Sequence, residues 1–233
     1  LQSETENKQR LMADISHDLK TPLTVIRGYA LALQDGRIPA SESPRYLSVI
    51  AERSVVASLL LDDLFAYSKM EHPSYRVTRE RADVLEEIRR VARAHAMEAE
   101  KNGCRVELDI PDKPLEILVD TWLLNRALSN LLDNAIRHSG NDAVVKISCN
   151  RADSSIVIQV ANTGRAIPEA IRTTIFDPFV TGDAARMTGR GTGLGLAIAQ
   201  KCIELNNGRI HLMEDPPAPF TTAFVCEFPA IDT

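Results

Sequence analysis

The first third of the chain carries two heptad patterns. The first has the alternating spacing of four and three residues that is typical of a coiled-coil seam, and its members are Met12, Ser16, Leu19, Leu23, Ile26, Ala30 and Leu33. The members of the second are Leu47, Ile50, Ser54, Ala57, Leu61, Leu64 and Ser68. Two antiparallel helices of this length cannot bury both seams and their flanking apolar residues against each other alone. The pattern therefore predicts a helical hairpin that pairs with a second copy as a dimeric four-helix bundle.

Breaks in these patterns predict where the helices and the first domain end. The segment QDGRIPASESP interrupts the first helix, and Ser43 before Pro44 suits an N-cap followed by a proline in the first turn. The segment HPSYR at residues 72–76 is predicted to be a linker. We therefore predict one domain at residues 1–72 and a second at residues 73–233.

The second part of the chain mixes helical periodicity with alternating strands. In the segment CRVELDI, every second residue is apolar, which predicts a strand with one wet face. Further strands are predicted at residues 143–149, 156–161, 209–213 and 222–228, and helices at 82–101, 121–138 and 194–205. Helices mixed with a sheet that is apolar on one face indicate a two-layer α/β sandwich.

Composition excludes several classes of protein. The chain has 233 residues, is 44% hydrophobic and has a net charge of −5, which argues against a general polyanion-binding surface. Its 4 cysteines are scattered without a CxxC pair, so we interpret them as reduced core residues of a cytosolic protein. No apolar stretch approaches the roughly 18 to 20 residues that cross a bilayer. Because the chain begins without Met in a polar helical segment, we expect a fragment of a longer protein.

The predicted helix at residues 121–138 carries a polar stripe beside its apolar face. Asn130 and Asn134 are four residues apart, and Arg137 and His138 follow one turn later. A solvated helix face is the simplest interpretation. However, asparagine is a poor helix former, amide oxygens are suitable Mg²⁺ ligands, and a cation one turn later suits phosphate oxygens.

Two glycine-bearing segments follow this helix. VANTGRAIP leaves a strand through Gly164, and TGRGTGLGLAIAQ brings Gly191, Gly193 and Gly195 directly into a helix. Such glycines let backbone N–H groups approach a phosphate at a helix N-terminus. A flexible connector is the alternative. The second segment is not a P-loop, since no GK[ST] follows, and the order of elements does not fit a Rossmann turn.

Together these segments resemble a known family. SHDLKTPL, NLLDNAIRH, NTGRAIP, FDPF and GTGLGLAIAQ occur in the order and spacing of the histidine, asparagine, phenylalanine and glycine boxes of bacterial two-component sensor histidine kinases. The chain resembles the cytoplasmic core of such a kinase over nearly its whole length. The resemblance implies a HisKA-type dimerisation and phosphotransfer hairpin followed by a Bergerat-type ATP-binding domain.

The resemblance also implies roles for residues in the first helix. His17 matches the histidine that takes the γ-phosphoryl group of ATP. Asp18 matches the acidic neighbour that orients the imidazole and accepts its proton. Thr21 matches the residue that orients water when the partner regulator is dephosphorylated. Pro22 matches the proline that kinks the helix.

In the second domain, the resemblance implies an ATP and Mg²⁺ site. Asn130 matches the Mg²⁺ ligand, and a mobile lid would run from the Phe176–Phe179 segment to about Arg190. The residues implied to contact ATP are Asn130, Asn134, Arg137, His138, Asn162, Gly164, Phe176, Phe179, Arg190, Gly191, Thr192, Gly193, Leu194 and Gly195.

One glycine box departs from the family pattern. The family has Asp-x-Gly-x-Gly where this chain has Asn162, Gly164 and Ala166. An Asn carbonyl can still accept a hydrogen bond from adenine, without charge assistance, at a cost of roughly 1 kcal/mol. An alternative prediction is therefore a nucleotide-impaired dimeric phosphotransfer or binding module.

The resemblance implies an ATP-dependent histidine kinase. It would phosphorylate His17, pass the group to an aspartate on the receiver domain of a response regulator, and act as a phosphatase toward that regulator. The implied chain is a cytoplasmic homodimer that binds no nucleic acid and belongs to a protein anchored in the bacterial inner membrane. A chaperone- or topoisomerase-type ATPase of the same fold is the other alternative, and the His17–Asp18 pair on a dimerising hairpin argues against it.

Residues outside these motifs receive structural interpretations. We expect His72, His95 and His211 at the surface and Trp122 in the core.

Overall fold

The hairpin is formed by two long helices. The computed structural model describes residues 2–72, 74–180 and 193–231, with the side chains of residues 2–15 and of residue 17 outside the description. Helix α1 spans Gln2–Gln34 and continues through Pro22, and α2 spans Ser43–Glu71. The N-cap of α2 is Glu42, so the predicted cap at Ser43 was wrong by one residue. The Ser43 hydroxyl instead donates to the Pro39 carbonyl, at 3.3 Å.

Much of the hairpin's apolar surface is exposed in the single chain. Ala57, Leu60 and Met70 are buried in α2, whereas Leu23 and Leu47 of the predicted seams are more than half exposed. Other exposed apolar side chains of the hairpin are Leu31, Val55, Leu59, Leu61 and Phe65. A single hairpin therefore leaves both helices with apolar surface to cover, as their heptad pattern predicted.

The second part of the chain begins with β1 (Glu80–Asp83), α3 (Val84–Lys101), β2 (Cys104–Asp109), β3 (Glu116–Val119) and α4 (Thr121–His138). It continues with β4 (Ala143–Ala152), β5 (Ser155–Asn162), α5 (Glu169–Arg172), α6 (Gly195–Leu205), β6 (Arg209–Leu212) and β7 (Thr222–Pro229). The prediction missed β1, β3 and α5, each of which has only 4 residues and too short a pattern to recognise.

The strands form a five-stranded sheet in the order β2-β4-β5-β7-β6 and a two-stranded sheet of β1 and β3. In the larger sheet, β2 and β4 are parallel and the other pairs are antiparallel. Alternate residues of β4 and β5 share one core with the buried sides of α3, α4 and α6. The predicted two-layer α/β sandwich is confirmed.

The end of α2 packs against this sandwich. Met70 is 3% exposed and belongs to the same core, and its sulfur lies 3.5 Å from the thiol of Cys202 in α6. Two ion pairs also join α2 to the sandwich: Asp63 to Arg126 of α4 at 2.5 Å, and Glu71 to Lys201 of α6. The hairpin and the sandwich therefore share a contact of both apolar and charged groups.

Four cysteines and one tryptophan test the core predictions. All of Cys104, Cys149, Cys202 and Cys226 are free and buried, as predicted, and burial raises the pKa of the Cys226 thiol to about 12. Trp122 is 52% exposed, so its predicted place in the core was wrong. Its neighbours Leu123 and Leu124 occupy the core face of α4 instead.

Within the described ranges, no helix is both long enough and apolar enough to span a bilayer.

Asp120 ties the start of α4 to its surroundings. Its carboxylate accepts from the backbone N–H groups of Trp122 (3.1 Å) and Leu123 (3.2 Å), which caps the helix. The same carboxylate accepts from the Thr78 N–H at 3.1 Å. Asp120 also exchanges two backbone hydrogen bonds with the amide of Asn206, which is 1% exposed. The cap therefore also anchors the chain that enters the sandwich.

Replacing Asp120 with Ala is expected to lower the free energy of unfolding by about 1–2 kcal/mol, because the start of α4 loses its cap and Thr78 loses its acceptor. Urea denaturation followed by circular dichroism measures the change. Asp112→Ala removes an equal charge at an exposed loop position and is the control. A loss of stability no larger than that of the control would contradict the capping role.

Candidate functional site

Helix α4 faces the N-terminus of α6 through Asn130. A Cβ atom added at Gly195, the first residue of α6, would lie 3.7 Å from Oδ1 of Asn130. Among the residues that the structure describes, no side-chain hydrogen bond caps α6 at Leu194, and the N-terminus of a helix carries backbone N–H groups without partners inside the helix. The structure thus brings together an amide oxygen and a helix N-terminus, a combination that suits a phosphate with a bound cation.

The loop after β5 lies very close to the end of α4. A Cβ atom at Gly164 would lie 2.0 Å from the carbonyl oxygen of His138 and 2.8 Å from Nδ2 of Asn162. The Arg165 N–H donates to the same His138 carbonyl, at 3.2 Å. Only glycine fits at position 164. Because it has no side chain, the backbone of the loop can approach His138, and Asn162 and His138 lie close together.

Two side-chain amide nitrogens in this region are buried and have no hydrogen-bond partner among the described residues. Asn162 is 2% exposed, and neither its Nδ2 nor that of Asn130 has a hydrogen-bond partner in the described part of the chain. Buried polar atoms are almost always paired, and an unpaired one indicates strain or a missing ligand or water. Two such atoms, both on residues implied to contact ATP, favour a ligand site.

Phe176 and Phe179 lie at the start of the implied lid and contact residues outside it. Phe176 packs edge-on against Phe224 of β7, with ring centroids 5.9 Å apart. Phe179 is buried and has a φ of 65°, which is rare for a bulky residue. Its backbone N–H donates to the Gly193 carbonyl, at 2.9 Å. The backbone at Phe179, where the implied lid begins, is therefore hydrogen-bonded to Gly193, just before α6.

Positive charge surrounds the end of α4. Partial burial, followed by the nearby cations of Arg137 and Arg165, lowers the pKa of His138 below its ordinary value. His138 is therefore neutral at pH 7, and the positive charge here comes from the two arginines. Asn134 is half-buried and Arg137 is exposed on the same helix. The resemblance did not identify Arg165, because this residue stands at a position of the glycine box where the family pattern specifies no residue type.

The remaining implied ATP residues lie in two places. Leu194 is fully buried just before α6, and its carbonyl accepts from the Ile198 N–H at 2.8 Å. Arg190, Gly191 and Thr192 lie outside the described residues.

The implied phosphorylation residues lie on α1. His17 is in this helix, and its side chain is outside the described residues. Asp18 is half-buried, Thr21 is exposed, and Pro22 is buried. Leu19, two residues after His17, packs against the core of the sandwich. This contact places the His17 segment of α1 beside the domain that carries the candidate nucleotide site.

His95, which was predicted to lie at the surface, pairs instead with Asp133 of α4. Its side chain is 15% exposed, and Nε2 lies 3.2 Å from the carboxylate of Asp133. The hydrogen bond to Asp133 raises the pKa of His95 above its ordinary value, with a smaller contribution from the Val91 carbonyl, against an opposing effect of burial. The expected surface position of His95 was wrong, whereas His72 and His211 are exposed. The pairing with Asp133 joins α3 to α4, which the separate helix patterns could not show.

The His95–Asp133 pair is expected to make stability depend on pH. A raised pKa in the folded state means that the contribution is fully present below the unfolded value of 6.5 and is lost as pH rises through the folded value. We expect the stability difference between the unsubstituted chain and His95→Gln to be largest near pH 5.5 and to shrink toward pH 8.5. Because Asp133 is 46% exposed, the difference stays below about 1 kcal/mol. Urea denaturation across this range measures it, and a difference that does not vary with pH would contradict the role of the pair.

The described residues contain no group of three or more His, Cys, Asp and Glu side chains that could hold a metal ion.

Two family models match the chain. The His Kinase A (phospho-acceptor) domain matches residues 7–73, and the family of histidine kinase-, DNA gyrase B- and HSP90-like ATPases matches residues 119–231.

Curated sensor proteins are similar to the chain in sequence. Sensor protein GtcS of Aneurinibacillus migulanus is 36% identical over 88% of the chain and 58% of its own length. Sensor protein kinase WalK of Staphylococcus aureus is 33% identical over 90% of the chain and 51% of its own length. The chain thus spans about half the length of the curated relatives that it matches.

Solved structures share the fold. The histidine kinase AdeS of Acinetobacter baumannii superposes with a TM-score of 0.74 at 24% identity, over 93% of this chain and 98% of its own. ThkA in complex with its response regulator protein TrrA superposes with a TM-score of 0.77 at 22% identity, over 99% of this chain and 66% of its own. Both have the arrangement of helical hairpin and sandwich described above. With its phospho-acceptor and ATPase domains in this order, the chain belongs to the two-component sensor histidine kinases.

Proposed function

We propose that the chain is the catalytic core of an ATP-dependent protein histidine kinase that phosphorylates His17. The observation that carries this proposal is the pair of buried Nδ2 atoms of Asn130 and Asn162 that have no hydrogen-bond partner among the described residues. They lie in a domain of an ATPase family, and the core of that domain contacts the helix of His17. We place the boundary between the phosphotransfer hairpin and the catalytic domain at residues 72 and 73, next to the end of α2.

The proposed reaction is transfer of the γ-phosphoryl group to the imidazole of His17. A bond forms between one ring nitrogen and the γ-phosphorus, while the bond from that phosphorus to the β,γ-bridging oxygen breaks and ADP leaves. Asp18 hydrogen-bonds the other ring nitrogen, fixes the tautomer and takes the ring proton. Because phosphoryl transfer depends mainly on positioning and charge, the fold's contribution is to bring the two domains together.

The candidate site suits a nucleoside triphosphate with Mg²⁺. Asn130 would supply an amide oxygen to the ion, which neutralises charge that develops on the phosphates. The N-terminus of α6, with Gly193 and Gly195, would bind phosphate oxygens through backbone N–H groups. Asn134, Arg137 and His138 would line the same phosphates, and Asn162 would contact the base. Arg190, Gly191 and Thr192 complete the proposed set.

The proposed partners follow from the exposed surface and from the family. The apolar side chains left uncovered on α1 and α2 would be buried between two copies in a four-helix bundle. ThkA, which has the same fold, has been solved with a response regulator. We propose that phosphorylated His17 passes its group to an aspartate on a receiver domain. We also propose that Thr21 orients water for hydrolysis of the resulting aspartyl phosphate, which is the phosphatase reaction and releases inorganic phosphate. We also propose that the whole protein is anchored in the inner membrane.

Labelling tests the proposal directly. Incubation with Mg²⁺ and ATP labelled at the γ-phosphate should give label on the chain that is lost in acid and stable in base, as expected for phosphohistidine. ATP labelled at the α-phosphate should give none. Bound ATP without any covalent label would contradict the kinase activity and support the nucleotide-binding module instead.

A further inference from the structure

Asn162 differs from the other buried polar residues of the described chain. Those residues are Glu87, Asn206 and Thr222, and each has a partner. Glu87 accepts from the Asn125 amide at 2.6 Å, and the Thr222 hydroxyl donates to the Arg165 carbonyl at 3.4 Å. The Nδ2 group of Asn162, at 2% exposure, has none. The fold therefore keeps a dry amide donor at the end of β5 that no described group uses.

The contrast with Asn206 shows what this freedom means. The Oδ1 atom of Asn206 accepts from the Asp120 N–H at 2.7 Å, and its Nδ2 donates to the Asp120 carbonyl at 3.2 Å. These two bonds fix the orientation of that amide. No group in the described ranges holds Nδ2 of Asn162 in this way. A half-turn about its Cβ–Cγ bond exchanges the donor and the acceptor with little change in shape.

This exchange matters for a purine ring. The edge of adenine offers an amino donor beside a ring-nitrogen acceptor. The same edge of hypoxanthine or guanine offers the reverse, a carbonyl acceptor beside an N–H donor. A carboxylate has acceptors only, so a carboxylate that lies against the substituent at C6 accepts from the 6-amino group and is repelled by a 6-oxo group. An amide has one donor and one acceptor, so it can match either edge by rotating.

We propose that Asn162 lets the nucleotide site accept 6-oxopurine nucleoside triphosphates, ITP and GTP, as well as ATP. The inference rests on the proposed function, because it requires the base to lie against Asn162. Asn162 is then the residue that sets base selectivity in this chain, in place of the family's aspartate. ITP is the more direct probe, since GTP also needs room for its 2-amino group.

Competition binding tests the proposal. ATP, ITP and GTP are titrated in the presence of Mg²⁺ against a fluorescent ATP analogue bound to the unsubstituted chain and to Asn162→Asp. For the unsubstituted chain we expect the dissociation constants of ATP and ITP to agree within about tenfold. Asn162→Asp should increase the ratio of the ITP to the ATP constant by about tenfold or more, because the carboxylate meets the O6 acceptor. Asn150→Asp, which adds the same charge on an exposed part of β4, should leave the ratio unchanged.

The outcomes separate this inference from the proposed function. The unsubstituted chain could bind ATP tightly and show the same ratio of ITP to ATP dissociation constants as Asn162→Asp. That result would overturn the inference and leave the kinase proposal standing. Absence of binding by any nucleotide at millimolar concentration would overturn the proposed function and this inference with it. If Asn162→Asp does not fold, the comparison of ATP with ITP on the unsubstituted chain still decides, because a hundredfold preference for ATP would refute a rotating amide.

Discussion

Replacing His17 with Gln is expected to remove all phosphohistidine label from the chain while leaving ATP binding within about twofold of the original. The substituted amide has no basic ring nitrogen, so no bond to the γ-phosphorus can form. The ATP residues proposed above lie in the sandwich, and the helix of His17 reaches that domain through Leu19, which is unchanged. His17→Gln should therefore lose the phosphohistidine label completely and keep its ATP binding. Acid-labile label and heat protection by ATP, measured on the same samples, separate the two.

A matched histidine supplies the control for this prediction. His211 lies exposed on β6 and has no role in the proposed reaction, so His211→Gln should retain full labelling. Asp18→Asn is a second variant with an intermediate expectation, because the imidazole keeps its nucleophilic nitrogen and loses the group that takes its proton. We expect a labelling rate reduced by about 10²–10⁴-fold. Label that persists undiminished on His17→Gln would place the phosphorylated residue elsewhere.

Periodicity predicted most of the architecture because long amphipathic elements repeat their signal many times. Helix α4 was predicted with the bounds that the structure has, 121–138, since its core face recurs over several turns. The strands β1 and β3, of 4 residues each, contain too few repeats to stand out. Trp122 was misplaced for a related reason: a large aromatic side chain suggests burial, but its position one residue before Leu123 turns it away from the core face.

The site was harder to predict because its parts come from distant segments. The motifs identified Asn130, Asn162, Gly164 and Gly195 one by one, from their resemblance to a family. That Gly164 touches the carbonyl of His138, and that Gly195 lies beside Asn130, depends on how β5 and α6 pack against α4. Arg165 and the His95–Asp133 pair gave no sequence signal, because an exposed arginine and a helical histidine are ordinary residues until a partner is placed beside them.

Replacing Gly164 with Ala is expected to weaken ATP binding by at least about tenfold and to lower the free energy of unfolding by about 1–3 kcal/mol. The added Cβ would lie 2.0 Å from the His138 carbonyl oxygen, far inside any allowed contact, and the obstacle is backbone that cannot rotate away. Relief requires the loop after β5 to move off the end of α4. That movement carries Asn162 with it, because its Nδ2 would lie only 2.8 Å from the new Cβ. Heat denaturation with and without ATP and Mg²⁺ measures both effects.

Gly140→Ala is the matched control, because a Cβ at that position would have nothing within 4 Å. Both glycines lie in loops next to the end of α4, so the two variants differ chiefly in the space around the added methyl group. If Gly164→Ala lost stability but kept the full ATP-induced rise in melting temperature, the loop would be a structural support only, and the nucleotide would bind away from Asn162. If both variants behaved like the unsubstituted chain, the close approach of Gly164 to His138 would be refuted. If only Gly164→Ala loses the ATP-induced rise in melting temperature, the close approach of Gly164 to His138 is required for nucleotide binding. The control has no steric conflict at the His138 carbonyl, so this conflict accounts for the difference.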